Sequence, residues 1–433
     1  MHRPDIYDKY LFAHTLPDRS NFTEDLIWIS PWRGNWDYHY RCIHLLLKEA
    51  GILSEIPGGG TLRRMKFVIS GYFGFQNIGD EAVLAAMIEH LKEEAPGSEI
   101  VVLSKDPALT NKLHNVSTVN RGDILRISRE LRSADLFISG GGSLLQDVTS
   151  FRSALYYLAL VALAKMMKKP VFFYAQGIGP LTRKATKALV RIVANRVDTI
   201  TVRDEQSRAL LQSIGVTKPK IHVAADPVFG LSRREGKGRG RKLLEACGIS
   251  VGDRPLVIVS MRPWLGVPGY IQAVASACDD LAKARDAVIV YVPFHSTQDV
   301  PICQACIELM QMPAYMWDCP DSPKDVISVI EDADFVIGMR YHALVFAVAA
   351  GTPFVALSYD PKVDGLLSIV GEEPGLSAVE RSTESFRAHV KDAWSRREEM
   401  QGKLLALVPK LGESAKQVAS LAVNTVSRQA RPG

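Results

Sequence analysis

The chain has 433 residues and a net charge of +5, with 47% hydrophobic and 23% charged residues, which is typical of a soluble globular protein of two or three domains. The mild basic excess suits an anionic ligand or membrane surface, but only Ser232 to Lys242 is densely basic, so we expect no nucleic-acid partner. Six cysteines without zinc-ligand spacing argue against a disulfide framework and favour a reducing, cytoplasmic compartment.

The first 64 residues follow no clear period. Three of the six tryptophans, Trp28, Trp32 and Trp36, lie here, and charged residues from Asp5 onward interrupt any signal-peptide core. Met65 directly precedes the first regular strand. Residues 1–64 therefore form an N-terminal extension, which is either a small appendage or an upstream extension of the reading frame.

From Met65 onward, strands and helices alternate. The strand patterns are "KFVIS", "EIVVLS", "ADLFIS", "PVFFYAQ" and "VDTITV". Strands that are apolar on both faces indicate a parallel sheet covered by helices. The helical run "ALYYLALVALA" is too short to span a bilayer, so any membrane contact is expected to be peripheral. We predict a Rossmann-like domain over residues 65–228.

A second unit follows a basic, glycine-rich linker at 229–251. Its strand patterns are "RPLVIVSMRP", "AVIVYVPFH", "ADFVIGMRYH" and "PFVALSYD". They predict a second Rossmann-like domain over 252–365, followed by C-terminal helices over 366–433 that pack back onto the body of the protein. The predicted fold class is α/β with two doubly wound parallel sheets. Ligands of such sheets bind at the carboxyl ends of the strands, here in a cleft between the two units.

Three turns of the first unit carry unusual residues. Asp80 lies at the start of a helix, where it either caps the helix or binds hydroxyls of a neutral group such as a sugar. Gly140, Gly141 and Gly142 either present backbone N–H groups to an anion or a sugar oxygen, or allow close packing of strand and helix. Gln176 offers both a donor and an acceptor. We expect these groups to bind substrate.

Cationic and histidine side chains follow strands in both units. Arg203 ends a strand of the first unit, where a salt bridge to Asp204 is the structural alternative. The corresponding residues of the second unit are Arg262, His295, Arg340, Tyr341 and His342. Arginine pairs bidentately with carboxylate and phosphate, and histidine moves protons near neutral pH. The set predicts a site for a small, doubly anionic ligand.

Several other site classes are disfavoured. The sequence has no G-x-S-x-G elbow, no P-loop and no G-x-G-x-x-G fingerprint, and its carboxylates and histidines lack metal-ligand spacing. Hydrolase and kinase activities are therefore not expected, and neither is a metal or a cofactor.

The motifs together resemble a known family. "KFVISGYFGFQNIGDEAVL", "ADLFISGGGSLLQD", "FYAQGIGPL", "TVRDEQSRALLQSIGV", "AADPVF" and "GMRYHALVFAVAAGTPFVAL", in this order, resemble the polysaccharide pyruvyl transferases, most closely their CsaB type. The resemblance covers about Lys66 to Gly365 and leaves out residues 1–64. It implies a two-domain, GT-B-like fold and the transfer of pyruvate from phosphoenolpyruvate to a sugar as a cyclic ketal.

The resemblance also implies partners. The acceptor would be an N-acetylmannosamine residue of an undecaprenyl-diphosphate-linked wall precursor, and the pyruvylated polymer would anchor S-layer homology domains. Phosphoenolpyruvate would be the donor substrate, no cofactor would be needed, and contact with the inner face of the membrane would be peripheral. The sequence does not indicate an oligomeric state.

Roles for single residues follow from the same resemblance. The Arg-x-His turn of the family helps to bind phosphoenolpyruvate, which carries over to Arg340–His342, and Arg203 matches an arginine of the N-terminal domain. We expect His342 to be the general acid that protonates the methylene carbon, with His295 as the alternative. Asp80 would orient or deprotonate the acceptor hydroxyl.

Two other functions remain open. A GT-B glycosyltransferase that uses a nucleotide sugar would share the architecture, but such enzymes commonly place a carboxylate where "GMRYHA" places a cation. A non-catalytic module for a wall precursor would keep the cleft without the chemistry. Release of phosphate from phosphoenolpyruvate would separate the predicted enzyme from both.

Overall fold

The structure, a computed structural model, contains two parallel β-sheets covered by helices, which confirms the predicted fold class. It describes residues 64–148, 150–232, 238–264, 269–318, 320–372 and 382–429. Three predictions therefore lie wholly or partly outside the described residues: the N-terminal extension, the linker and the C-terminal helices.

The first sheet is parallel throughout and has β1 and β4 near its centre. Its strands are β1 (Lys66–Ser70), β2 (Glu99–Ser104), β3 (Ser117–Asn120), β4 (Leu136–Ser139), β5 (Gly142–Leu145), β6 (Val171–Ile178), β7 (Thr199–Val202) and β8 (Ile221–Val223). Their order is β3-β2-β1-β4-β6-β7-β8, with β5 beside β6. Phe67, Val68 and Ile69 of β1 are fully buried, because helices cover both faces of the sheet.

The second sheet is smaller and also parallel. Its strands are β9 (Leu256–Ser260), β10 (Val288–Tyr291), β11 (Ala314–Met316), β12 (Phe335–Gly338) and β13 (Phe354–Ala356), in the order β11-β10-β9-β12-β13. All four residues of β12 are buried. The turn after β12 is thus held by a buried strand that lies between β9 and β13.

Helices connect the strands. They are α1 (Ile78–Glu94), α2 (Pro107–His114), α3 (Ile124–Ser133), α4 (Phe151–Met166), α5 (Lys184–Ala194), α6 (Glu205–Ser213), α7 (Arg239–Ala246), α8 (Tyr270–Arg285), α9 (Val300–Leu309), α10 (Pro323–Glu331), α11 (Tyr341–Ala350), α12 (Pro361–Val370), α13 (Thr383–Ser395) and α14 (Arg397–Gln429). Within the described parts of the chain, no helix is both long and apolar enough to cross a bilayer.

Two segments predicted as turns belong to strands instead. Gly142 begins β5, and Gln176 lies inside β6. The cause is a register shift in β6 between Phe173 and Gln176, where Ala175 has a φ of 44°. Before this irregularity β6 pairs with β4, and after it with β5. The strand therefore continues past the point where the glycine-rich pattern predicted its end.

The last helix, α14, returns to the first unit. Its buried residues Ala415, Ala419 and Ala422 belong to the same core cluster as α1. The Ala225 amide donates to Ser414 Oγ at 3.1 Å, and the hydroxyls of Thr199 and Thr425 are 3.0 Å apart. The end of the chain thus ties the second unit back to the first sheet.

The two units also meet at the carboxyl ends of their strands. The turn after β1 contacts the turn after β10: the Ile78 amide donates to the Phe294 carbonyl at 2.9 Å, and Asn77 forms an isolated antiparallel bridge with His295. This contact closes one side of the cleft. The candidate site lies beside it.

Candidate active site

His342 reaches across the cleft to the first unit. It is the second residue of α11, and its ring lies directly on the backbone of Gly79, where a Cβ would overlap the ring. Its Nε2 faces Asp226 Oδ2 at 3.8 Å, beyond hydrogen-bond distance but within reach of an ion pair. Both atoms are buried and lack a hydrogen-bond partner.

Asp226 follows β8 and is buried, with 3% of its surface exposed. Burial opposes its ionisation, but the charges of His342 and Arg203 and the Val228 amide more than offset this, and the pKa of Asp226 is lowered. The Val228 amide donates to Oδ1 at 3.2 Å, which leaves Oδ2 directed at His342. The carboxylate is therefore ionised beside the ring.

Arg203 ends the segment after β7 and is 4% exposed. Its Nη2 donates to Ser143 Oγ at 3.0 Å, and its guanidinium lies 4.2 Å from the centre of the Tyr341 ring of the other unit, a cation–π contact. Asp204 and Asp226 lie 3.6 and 3.9 Å away. The Nε atom has no hydrogen-bond partner, so the predicted salt bridge to Asp204 does not satisfy it.

Asp80 lies in the first turn of α1 and is 8% exposed. Burial raises its pKa to about 6, although the charges of His342, Lys362 and Arg203 act in the opposite direction. The helix cap is Asn77, whose side chain accepts from the Gly79 amide at 3.1 Å. The capping alternative for Asp80 is therefore wrong, and the carboxyl group is not used in closing the helix.

The three glycines pack closely, each in a different way. A Cβ on Gly140 would stand 3.1 Å from the Ser70 carbonyl, and one on Gly141 would stand 2.5 Å from the Val83 side chain. Gly142 has a φ of 85° and faces Asp80, whose Oδ1 would be 2.7 Å from a Cβ there. Close packing thus explains Gly140 and Gly141, while Gly142 makes room for the carboxylate.

Gln176, next to Gly140–Gly142, is fully buried. Its Nε2 donates to Ser139 Oγ at 2.7 Å and to the carbonyls of Ser139 and Gly140 at 3.1 Å. Its Oε1 has no hydrogen-bond partner. The side chain holds the end of β4 in place, and its donor atoms are already occupied.

Arg340 is paired with a carboxylate from its own unit. Its Nε donates to Asp299 Oδ2 at 2.8 Å and its Nη2 to Oδ1. Asp299 is fully buried and also accepts from the amides of Phe294 and His295. Burial and the positive charge of Arg340 lower the pKa of His295. Much of the Arg340 fork is thus engaged in holding the turn after β10.

Arg262 differs from the other two arginines. Its Nη1 donates to the Tyr359 hydroxyl at 2.6 Å, and its guanidinium lies 4.4 Å from the centre of that ring. Among the described residues, no carboxylate lies within ion-pair distance of it. Its Nε is buried without a hydrogen-bond partner. Within the described part of the chain, no acidic side chain therefore neutralises the charge of Arg262.

Comparison with known families agrees with this arrangement. A model of the polysaccharide pyruvyl transferase family matches residues 77–361. The chain belongs to this family. The amylovoran biosynthesis protein AmsJ of Erwinia amylovora is 20% identical over 362 residues, which are 71% of this chain and 86% of that protein.

Solved structures share the fold of this pyruvyl transferase family member at low sequence identity. A putative UDP-N-acetylglucosamine 2-epimerase from Listeria monocytogenes superposes with a TM-score of 0.61 and 11% identity, covering 86% of this chain and 98% of that one. Anabaena HepE with UDP-glucose gives 0.54 and 13%, covering 85% and 98%, and a glycosyltransferase from Rickettsia africae gives 0.52 and 12%, covering 85% and 97%. These similarities support the GT-B-like fold alone.

Several residues at the candidate site were not among the predicted site residues. They are Asp226, Ser143, Asp299, Tyr359 and Lys362. The sequence contained a signal for Asp226, because this residue follows a strand at the edge of the sheet that faces the cleft. Asp299 carried none, since its partner Arg340 is 41 residues away in the chain.

Proposed function

We propose that this protein transfers the pyruvyl group of phosphoenolpyruvate to two hydroxyls of a sugar, forming a cyclic ketal and releasing phosphate. One observation carries the proposal: Arg203 Nε, Asp226 Oδ2 and His342 Nε2, from both units, are buried polar atoms without hydrogen-bond partners. Such atoms are costly unless a ligand or water satisfies them. Family membership makes phosphoenolpyruvate our choice of ligand.

The chemistry begins at the methylene carbon of phosphoenolpyruvate. His342 gives its proton to this carbon, which becomes a methyl group and leaves C2 electron-poor. The first sugar hydroxyl attacks C2 and passes its proton to Asp80. Phosphate leaves with the electrons of its bond to C2 and takes the proton from Asp80. The second hydroxyl then closes the ring at C2 and returns a proton to His342.

The surroundings of the two groups suit these roles. The ionised carboxylate of Asp226 lies 3.8 Å from His342 Nε2, so it is placed to interact with a proton carried on the ring during the reaction. Asp80, with a pKa of about 6, is mostly ionised at neutral pH and yet basic enough to accept a proton. His295 remains the alternative acid, with a lowered pKa that makes it less often protonated.

Arginines from both units would bind the anionic groups of the donor. Arg203 and Arg262 each have a buried Nε without a partner, so both retain donors for phosphate or carboxylate. The Tyr341 ring makes a cation–π contact with the Arg203 guanidinium. We assign Arg340 mainly to positioning the His342 turn, since Asp299 occupies two of its nitrogens.

The acceptor is proposed from the sequence resemblance to the CsaB type. It would be N-acetylmannosamine on a lipid-linked wall precursor, and the product would serve S-layer anchoring. Gly140–Gly142 would border the acceptor side of the cleft, next to Asp80. AmsJ, by its name a polysaccharide biosynthesis protein, supports a saccharide acceptor in general.

A membrane contact is proposed at the rim of the first unit. The apolar side chains of Ile124, Leu125 and Val148 are 51%, 75% and 63% exposed and follow β3 and β5 at the cleft end of the sheet. Arg152 follows Val148 by four residues, and Arg183 and Lys184 follow β6 at the same end of the sheet. Exposed apolar groups beside basic ones suit an anionic lipid surface, which would present a lipid-linked acceptor to the cleft.

The direct test combines the protein with phosphoenolpyruvate and lipid-linked wall precursors. We expect phosphate release that depends on the precursor, and a product heavier by one pyruvate ketal in mass spectrometry. The His342→Gln variant is the control for background hydrolysis. Binding of precursor without phosphate release would identify a non-catalytic module instead.

A further inference from the structure

A layered stack of side chains lines the first unit beside the candidate base. The Arg121 guanidinium lies 4.1 Å from the centre of the Tyr156 ring and 5.0 Å from that of Phe75. Phe75 in turn is stacked on Tyr72, with ring centres 4.0 Å apart and planes within 4°. All four side chains are half-buried. We call Tyr72, Phe75, Arg121 and Tyr156 the aromatic stack.

Backbone contacts hold the stack in a fixed position. The Tyr156 hydroxyl donates to the Arg121 carbonyl at 2.8 Å, and the Tyr157 hydroxyl donates to the Gly71 carbonyl at 3.2 Å. The Gly74 amide, between the two stacked rings in sequence, donates to the buried Glu81 carboxylate at 2.7 Å. The rings are thus preorganised, and little conformational entropy would be lost when a ligand covers them.

The turn that carries Tyr72 and Phe75 meets the second unit. Ser296 Oγ donates to Gln76 Oε1 at 2.5 Å, and Asn77 bridges to His295. Burial, the largest influence, raises the pKa of Tyr72, and the negative charge of Asp80 raises it further, whereas Arg121 and Arg340 lower it. The turn leads directly into α1, whose first turn holds Asp80.

We propose that the Tyr72–Phe75 part of the aromatic stack is the acceptor subsite and binds the flat C–H face of a pyranose ring, with the reacting diol turned toward Asp80. This inference rests on the proposed function. A pyranose suits the position because the proposed reaction needs a hydroxyl beside Asp80, and aromatic faces attract weakly polarised C–H groups. The hydroxyls of the sugar would remain free to meet polar groups of the cleft.

The competing occupant of such a stack is a nucleobase, which also stacks on aromatic rings. The two differ in what else they need. A nucleotide brings a diphosphate beside its base, whereas a glycoside presents hydroxyls. The proposed reaction requires a hydroxyl beside Asp80, which favours the sugar.

The test measures binding of the methyl glycosides of N-acetylmannosamine, glucose and galactose by calorimetry and saturation-transfer NMR. We expect Tyr72→Ala to weaken the best glycoside by about tenfold and to leave phosphoenolpyruvate binding within about twofold. Tyr72→Phe keeps the stacking face and should stay near wild type. Tyr315→Ala, on β11, is the matched control.

Three outcomes would overturn the subsite: no glycoside binds to the wild-type protein, Tyr72→Ala leaves its affinity unchanged, or UDP displaces it in a manner that depends on Tyr72. Thermal unfolding of each variant shows whether the fold is retained, and Tyr72→Phe covers the case in which Tyr72→Ala fails to fold. Glycoside binding that depends on Tyr72, without phosphate release, would instead contradict the proposed reaction and leave the subsite standing.

Discussion

The Nε2 atom of His342 and the Oδ2 atom of Asp226 face each other across the cleft at 3.8 Å, and neither has a hydrogen-bond partner. The histidine comes from the second unit and the carboxylate from the first. A buried carboxylate at this distance stabilises an imidazolium without fixing the ring by a hydrogen bond. The pair links the proposed proton donor of one unit to the charge of the other.

We expect Asp226→Asn to lower kcat by about a hundredfold or more, because it removes the negative charge that faces His342 Nε2. Asp204→Asn, beside the same arginine but with no contact to His342, is the control. An unchanged kcat in Asp226→Asn would assign Asp226 a structural role only.

Asp80 has opposite effects on activity and stability. Its pKa is raised from 3.8 to about 6, so the base form, and with it kcat, should decline as the pH falls through about 6. Ionisation of a carboxyl group whose pKa is raised on folding costs stability, and this cost grows as the pH rises from about 3.8 and is complete above about 6. Asp80→Asn should therefore raise the free energy of unfolding by about 1–3 kcal/mol at pH 8 and by roughly half as much at pH 5. Urea titrations at the two pH values check this, and a destabilised variant would contradict it.

Arg262 should carry more of the donor affinity than Arg340, since no described carboxylate neutralises it. We expect Arg262→Lys to raise the KM for phosphoenolpyruvate about tenfold or more, because lysine lacks the bidentate fork. Arg254→Lys, whose guanidinium contacts backbone carbonyls, is the matched control. Steady-state kinetics at varied phosphoenolpyruvate concentrations test this prediction. An unchanged KM would assign Arg262 a structural role.

Arg340→Met should chiefly affect stability. The substitution leaves the fully buried Asp299 carboxylate without its cation, which typically costs about 3–5 kcal/mol. Guanidinium unfolding measures the loss. The double variant Arg340→Met/Asp299→Asn should recover part of it, because the buried charge is then gone. A single variant as stable as wild type would contradict this role.

The rim proposed to meet the membrane can be tested on vesicles of phosphatidylethanolamine and phosphatidylglycerol. Leu125→Asp/Val148→Asp should lower the bound fraction about tenfold, because it removes apolar contact and adds negative charge. Met166→Asp is the control, since Met166 is 80% exposed at the opposite end of α4 from Val148. Equal binding by both variants would exclude the rim as the contact.

The fold followed from the sequence because its strands are strongly patterned. Segments such as Phe67–Ile69 and Phe335–Gly338 are apolar on both faces, which has few explanations other than a buried parallel strand. The same logic brought Arg203 and His342 to one cleft, because the carboxyl ends of parallel strands share an edge. Each prediction used a periodicity that the chain repeats many times.

The errors arose where tertiary structure overrode a local signal. Gln176 was assigned to a turn, since glycines follow it, but an irregularity in β6 extends the strand through it. Of the two alternatives for Asp80, the capping one is wrong, because Asn77 three residues earlier takes that place. The fork between Arg340 and Asp299 joins two turns of different strands, and no spacing rule connects them.

The ring of His342 resting on the backbone of Gly79 has one more consequence. Because Gly79 has no side chain, the His342 ring of the second unit can lie against its backbone. Any opening of the cleft would separate the His342 ring from Gly79 and, at the same time, from Asp226. The proposed proton donation would then be possible only when the two units are in contact. An open cleft would not hydrolyse phosphoenolpyruvate, because His342 would be away from Asp226.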